Sequence, residues 1–90
     1  MDSVAELAER AVRGPREAAY GNARHSFQRI ADLWSAIFGV EVSVDQVAAA
    51  MIALKISREL GGKGSRDNLV DIVGYALLWD DIIQSRGPDA

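Results

Sequence analysis

Residues 44–60 read VDQVAAAMIALKISREL, and within them VAAAMIALKI is apolar on nearly every side of a helical wheel. A helix with no continuous polar face has to be covered from several directions at once. Its alanines let neighbouring helices approach closely. The spacing therefore predicts a central helix with other helices packed round it. Ser43-Val44-Asp45-Gln46 has the form of a capping box at its start. Gly61-Gly62-Lys63-Gly64 ends it in a turn.

Beyond the turn, DNLVDIVGYALLWDDIIQ repeats apolar residues in steps of three and four, predicting a last helix from about Asn68 to Gln84, capped by Ser65 or Asp67. Its predicted core face is Leu69, Ile72, Val73, Ala76, Trp79 and Ile83. Gly74 falls mid-helix, where close packing against the alanines of the central helix is the expected reason for it. If the two helices run antiparallel, Lys55 falls opposite Asp71 and Arg58 opposite Asp67, with Asn68 and Tyr75 extending the same polar seam. Two readings of this cluster stand side by side. One is an ion-pair ladder that fixes the register of the hairpin, its carboxylates near one helix N-terminus and its cations near the other C-terminus. The other is a polar site for a phosphate-bearing or metal-bound ligand.

Earlier in the chain, Ser3-Val4-Ala5-Glu6 fits a second capping box. Val4, Leu7, Ala8, Ala11 and Val12 follow as a thin apolar stripe that Gly14-Pro15 stops. This predicts a short N-terminal helix within residues 1–14, docked on the outside of a helical domain at 15–86, with a tail at 87–90. A further amphipathic helix is predicted from about Ala23 to Phe38, its apolar face made of Phe27, Ile30, Ala31, Trp34, Ile37 and Phe38. Val40-Glu41-Val42 is too short to found a sheet. The expected architecture is all-α, a compact bundle of three long helices plus the short one. Tyr20, with Arg24 and His25 just after the Gly21-Asn22 turn, either staples the connector to the core or offers a helix N-terminus to an anion.

Composition narrows the function. A chain of 90 residues is one domain with a modest core. Net charge −3 leaves too few cations for general phosphate-backbone binding, so no nucleic-acid partner is expected. With no cysteine and one histidine, disulfides, thiolate metal sites and histidine clusters are excluded within a chain. No apolar run is long enough to span a membrane, and the first residues lack the pattern of a secretion signal. The expected setting is cytoplasmic. The Gly61–Gly64 turn is not a phosphate loop, since it lacks the GxxxxGK[ST] spacing and follows a helix.

Three strings, YGNARHSFQRIADLWSAIFG, VDQVAAAMIALKISREL and DNLVDIVGYALL, resemble a family of small helical proteins of phages and prophages, especially of actinobacteria. That family carries a YG[DN] turn, an IA.LWSA helix, a DVA..M..LKI.R helix and a DN.VDI.GY helix, and the match runs from about Tyr20 to Leu78. The family has no assigned function, and its members look like the all-α nucleotide pyrophosphohydrolases of the MazG kind. The resemblance implies a MazG-like helical fold, a nucleotide or other phosphate ligand, and Mg²⁺ held by carboxylates. The MazG pattern is E-x-x-E followed by E-x-x-D, because Mg²⁺ on a triphosphate needs several carboxylates. Here Lys55-x-x-Arg58 and Asn68-x-x-Asp71 stand in those places and only Asp71 matches, with Asp67 beside it.

On that resemblance Lys55 and Arg58 would hold phosphate, and Asp71 and Asp67 would orient it or bind a single Mg²⁺. A different class of function is a non-catalytic module that binds a host protein or self-associates through helix faces. A homodimer or higher homo-oligomer is expected in either case, because the apolar helix has more surface than its partner helices readily cover.

Overall fold

The computed structural model describes residues 2–13 and 23–86. All regular structure among them is helical: α1 (Val4–Arg13), α2 (Ala23–Phe38), α3 (Val44–Gly61) and α4 (Arg66–Ser85). Both capping boxes form. The Ser3 hydroxyl accepts from the Glu6 N–H at 3.0 Å while Glu6 accepts from the Ser3 N–H at 3.2 Å. Ser43 and Gln46 exchange the same pair of bonds at the head of α3. Ser65 caps α4 by accepting from the Asp67 N–H, which leaves Asp67 in the first turn rather than at the cap. Gly39, at φ +71°, lets the chain leave α2 in a left-handed conformation that a side chain would resist. The Ser35 hydroxyl then ties down the linker by accepting from the Val42 N–H at 2.8 Å.

The helices stack in two layers. α3 and α4 form an antiparallel hairpin, and α1 and α2 pack on it, α1 on α4 and α2 chiefly on α3. The core at the junction is Phe27, Ala31, Val47, Ala48 and Ile82, with Met51, Tyr75, Leu78 and both tryptophans half-buried against it. α1 runs alongside α4 in the same direction. Arg13 forms a two-pronged pair with Asp81 near one end, and Arg66 donates to the Asp2 carbonyl near the other.

Several core expectations are corrected. α3 is not wrapped on all sides: only Val47 and Ala48 are buried on it, while Leu54, Ile56 and Leu60 are exposed. Two layers cover a hairpin from one side only, so an all-round apolar helix keeps a wet flank. On α4 the buried residues are Asn68, Gly74 and Ile82, and the predicted core residues Leu69, Ala76 and Ile83 are exposed. The α4 face turned to α3 is set by Asn68, Asp71, Tyr75 and Ile82, about a quarter-turn from the stripe that hydrophobicity alone selects. Ile37 and Phe38 project past the end of the core and are exposed, as is Ala11 on α1.

Gly74 meets α1, not the alanines of α3. A Cβ built there would lie 3.7 Å from Val12 Cγ2, an ordinary contact. Gly74→Ala is therefore expected to raise stability by about 0.5–1 kcal/mol, because it removes helix-interior glycine without a clash. A higher melting temperature for the variant is the readout.

Candidate functional site

The hairpin brings Lys55 and Asp71 together as expected. Nζ lies 3.0 Å from Oδ2, with the Lys55 side chain 14% exposed and that of Asp71 44%. The ammonium is thus sheltered while its carboxylate faces water. The second rung does not form. Arg58 and Asp67 are both exposed and make no ion pair with each other. Glu59 takes that place. Its Oε1 accepts from the Asn68 side-chain amide at 3.2 Å and from the Ser65 N–H at 2.8 Å.

The register explains this exchange. Lys55 and Glu59 are one turn apart on the α3 face turned to α4, whereas Arg58 lies about 80° round from that face. Glu59 also closes over Gly64, whose φ is +76° and where an added Cβ would come within 2.7 Å of Glu59 Oε2. The glycine turn is therefore clamped by a carboxylate. Tyr75, assigned to the polar seam from sequence, packs with the core, its ring centroid 6.2 Å from that of Phe27.

His25 is exposed in the first turn of α2. Tyr20 and the Arg24 side chain lie outside the described residues, so the anion reading of that turn is carried by sequence alone. Among the described residues no three His, Asp or Glu side chains gather as a metal-binding group. Asp71 is engaged by Lys55, and Asp67 lies one turn before it, exposed in the first turn of α4.

Sequence reasoning missed a second polar junction. Asp45, in the first turn of α3, accepts from Trp79 Nε1 at 2.7 Å and pairs with Arg86 at 2.8 Å. The Arg86 guanidinium, then the Trp79 indole, hold its carboxyl below the usual carboxylate range. The signal available in sequence was an acidic residue in a first turn, which the helix dipole explains by itself. Its folded-state pKa is depressed, so the stability it contributes is present above the unfolded value of about 3.9 and lost as pH falls through the folded value. Asp45→Asn should cost stability near neutrality and nothing once wild-type Asp45 is itself protonated. Urea melts of both chains on descending pH, converging in strong acid, are the expected result.

No helix among the described residues is long and apolar enough to cross a membrane. The chain is 43% identical over 75 residues to the Gene 55 protein of Mycobacterium phage L5. It is 40% identical over 75 residues to the Gene 55 protein of Mycobacterium phage D29. These matches take in 82% and 83% of this chain but only 48% and 50% of the relatives, so the chain spans about half their length. No solved structure matches it. Residues 3–83 match the family described as Domain of unknown function (DUF6378), and over that match, nearly the whole chain, the protein belongs to this family with members in mycobacteriophages.

Proposed function

We propose that this chain is a non-catalytic phage interaction module, acting in the host cytoplasm and binding protein through apolar helix faces. The observation that carries this is the amount of large apolar surface left wet. Ile37 is 71% exposed and Leu60 81%, and Leu33, Phe38, Val40, Leu54 and Ile56 are exposed as well. Single exposed leucines are ordinary, but this many on a chain of 90 residues is the mark of surfaces that are covered in use. The charged groups of the hairpin work in the opposite sense, holding the molecule together: Lys55 with Asp71, and Glu59 with Asn68 and Ser65.

A second reading has one observation in its favour. Arg58 sits one turn from the glycine turn, exposed and without a carboxylate partner among the described residues, as an anion-binding cation would. On this reading the fold is MazG-like, and Arg58 with Lys55 recognises a nucleotide or other phosphate, Mg²⁺ being held by Asp71 and Asp67. Lys55 would have to leave Asp71 to do so.

A thermal-shift series with nucleoside triphosphates and orthophosphate, each with and without Mg²⁺, separates the two. The interaction reading expects no shift. A ligand at 100 times its dissociation constant would raise stability by about 2.7 kcal/mol, and such a rise, lost in Arg58→Ala, would overturn it. In parallel, chains carrying Ile37→Lys or Leu60→Lys are expected to lose a protein contact that the wild type makes, with helicity unchanged.

A further inference from the structure

The α3–α4 hairpin has two sides, and the other described helices cover only one of them. On α3 the direction of the core is marked by Ala48, with Lys55 and Glu59 reaching α4. Val47 and Met51, packed in the core with α2, lie round from it in one sense. At about 100° per residue, Ala49, Ala53, Ile56 and Leu60 lie roughly a quarter-turn round in the other sense. All four are exposed.

On α4 the core direction is marked by Tyr75 and Ile82. Gly74 and Asp81, which meet Val12 and Arg13 of α1, lie round in one sense. Leu69, Ala76 and Ile83 lie round in the other, and they too are exposed. In an antiparallel pair of right-handed helices, flanks of the same rotational sense fall on the same side. The two exposed stripes therefore form one continuous face, opposite the layer of α1 and α2.

We propose that this face docks a second copy of the same chain, hairpin against hairpin about a two-fold axis. This deepens the interaction reading above and rests on it. The α3 stripe advances by four, three and four residues, and the α4 stripe by multiples of seven from Leu69 through Ala76 to Ile83. Both are the spacings at which one helix seats against another. The occupant must then present paired helices of matching length with apolar residues at the same spacing, and the same hairpin of another copy does so.

The size is adequate. Helices of 18 and 20 residues make a face about 27 Å long and about 20 Å wide, roughly 540 Å² in flat projection. Its corrugated accessible area approaches the roughly 800 Å² per partner of a standard stable interface. Charge points the same way. The seven stripe residues are all uncharged, and the arginines at their margins are engaged within the chain, Arg66 with the Asp2 carbonyl and Arg86 with Asp45. A helix face that lies on an anionic lipid surface carries free cations, whereas a protein interface core is depleted of charge.

Sedimentation velocity of the 90-residue chain across micromolar to high-micromolar concentration tests this, against a monomer mass of 9.7 kDa. The expected result is a species of twice that mass, converted to monomer by Ile56→Lys with Leu60→Lys, and retained by Ile37→Lys, which lies on α2. Both replaced α3 positions are exposed, so circular dichroism should show the helices intact. If the double variant loses helicity, Ala53→Cys with a spin label reads the same face, because the chain has no other cysteine. Dipolar broadening between labels is then expected. A wild-type monomer throughout overturns the second copy, and so does a dimer broken by Ile37→Lys but not by the α3 pair. Neither result touches the broader interaction reading, which falls on the separate thermal-shift outcome, a ligand-induced rise in stability that Arg58→Ala abolishes.

Discussion

Phe27→Ala should lower the free energy of unfolding by about 3–4 kcal/mol, the largest effect of any single truncation in this chain. Phe27 is buried at the meeting of three helices, where α2 drives its ring against Tyr75 of α4 beside Val47 and Ala48 of α3. Ala31, Val47 and Ala48 are small and fully buried, so little nearby can swing in to refill the space. A domain of this size has a total stability of roughly 5–13 kcal/mol, and the variant would sit near the edge of folding. Urea melts should show a lower midpoint with an unchanged slope. A loss below about 1 kcal/mol would mean that α2 does not pack on the hairpin through this ring. The comparison belongs at one fixed protein concentration, since self-association adds stability by mass action.

Glu59→Ala should cost about 2–3 kcal/mol, well beyond a surface carboxylate, because it strips a buried amide of its partner. Asn68 is 8% exposed, and both its side chain and the Ser65 N–H converge on one Glu59 oxygen. Glu59→Gln keeps a carbonyl oxygen of the same reach and should cost under about 1 kcal/mol, which separates the hydrogen bonds from the charge. Equal losses in the two variants would show that the negative charge, rather than the clamp on the turn, is what matters. Hydrogen exchange at the Ser65 amide is the local readout, expected to quicken in Glu59→Ala and to hold in Glu59→Gln.

Helix positions were written locally and were legible as such. Ser3 with Glu6, Ser43 with Gln46, and Gly39 and the Gly61–Gly64 turn each act within a few residues of themselves. Capping and backbone freedom depend on little else. The pairing of Lys55 with Asp71 was also legible, since an antiparallel hairpin with a short turn leaves few registers. The failure of Arg58 and Asp67 to pair beside it came from the rotation of α3, which turns Glu59 rather than Arg58 toward α4.

What the sequence by itself determined, then, is where the chain is helical, where it turns, and that α3 and α4 form a hairpin. Only the tertiary structure decided which flank of each helix is inside. Hydrophobicity marks α3 on nearly all sides and marks Leu69 and Ile83 as core on α4, because a residue that packs within the chain and one left open at its surface carry the same apolar signature. Asp45 with Trp79 and Arg86, and Val12 with Gly74, join residues far apart in sequence, and no local periodicity encodes them. The first follows from how the far end of the α3–α4 hairpin closes and the second from α1 docking on α4, while Ile56 and Leu60 are left facing solvent.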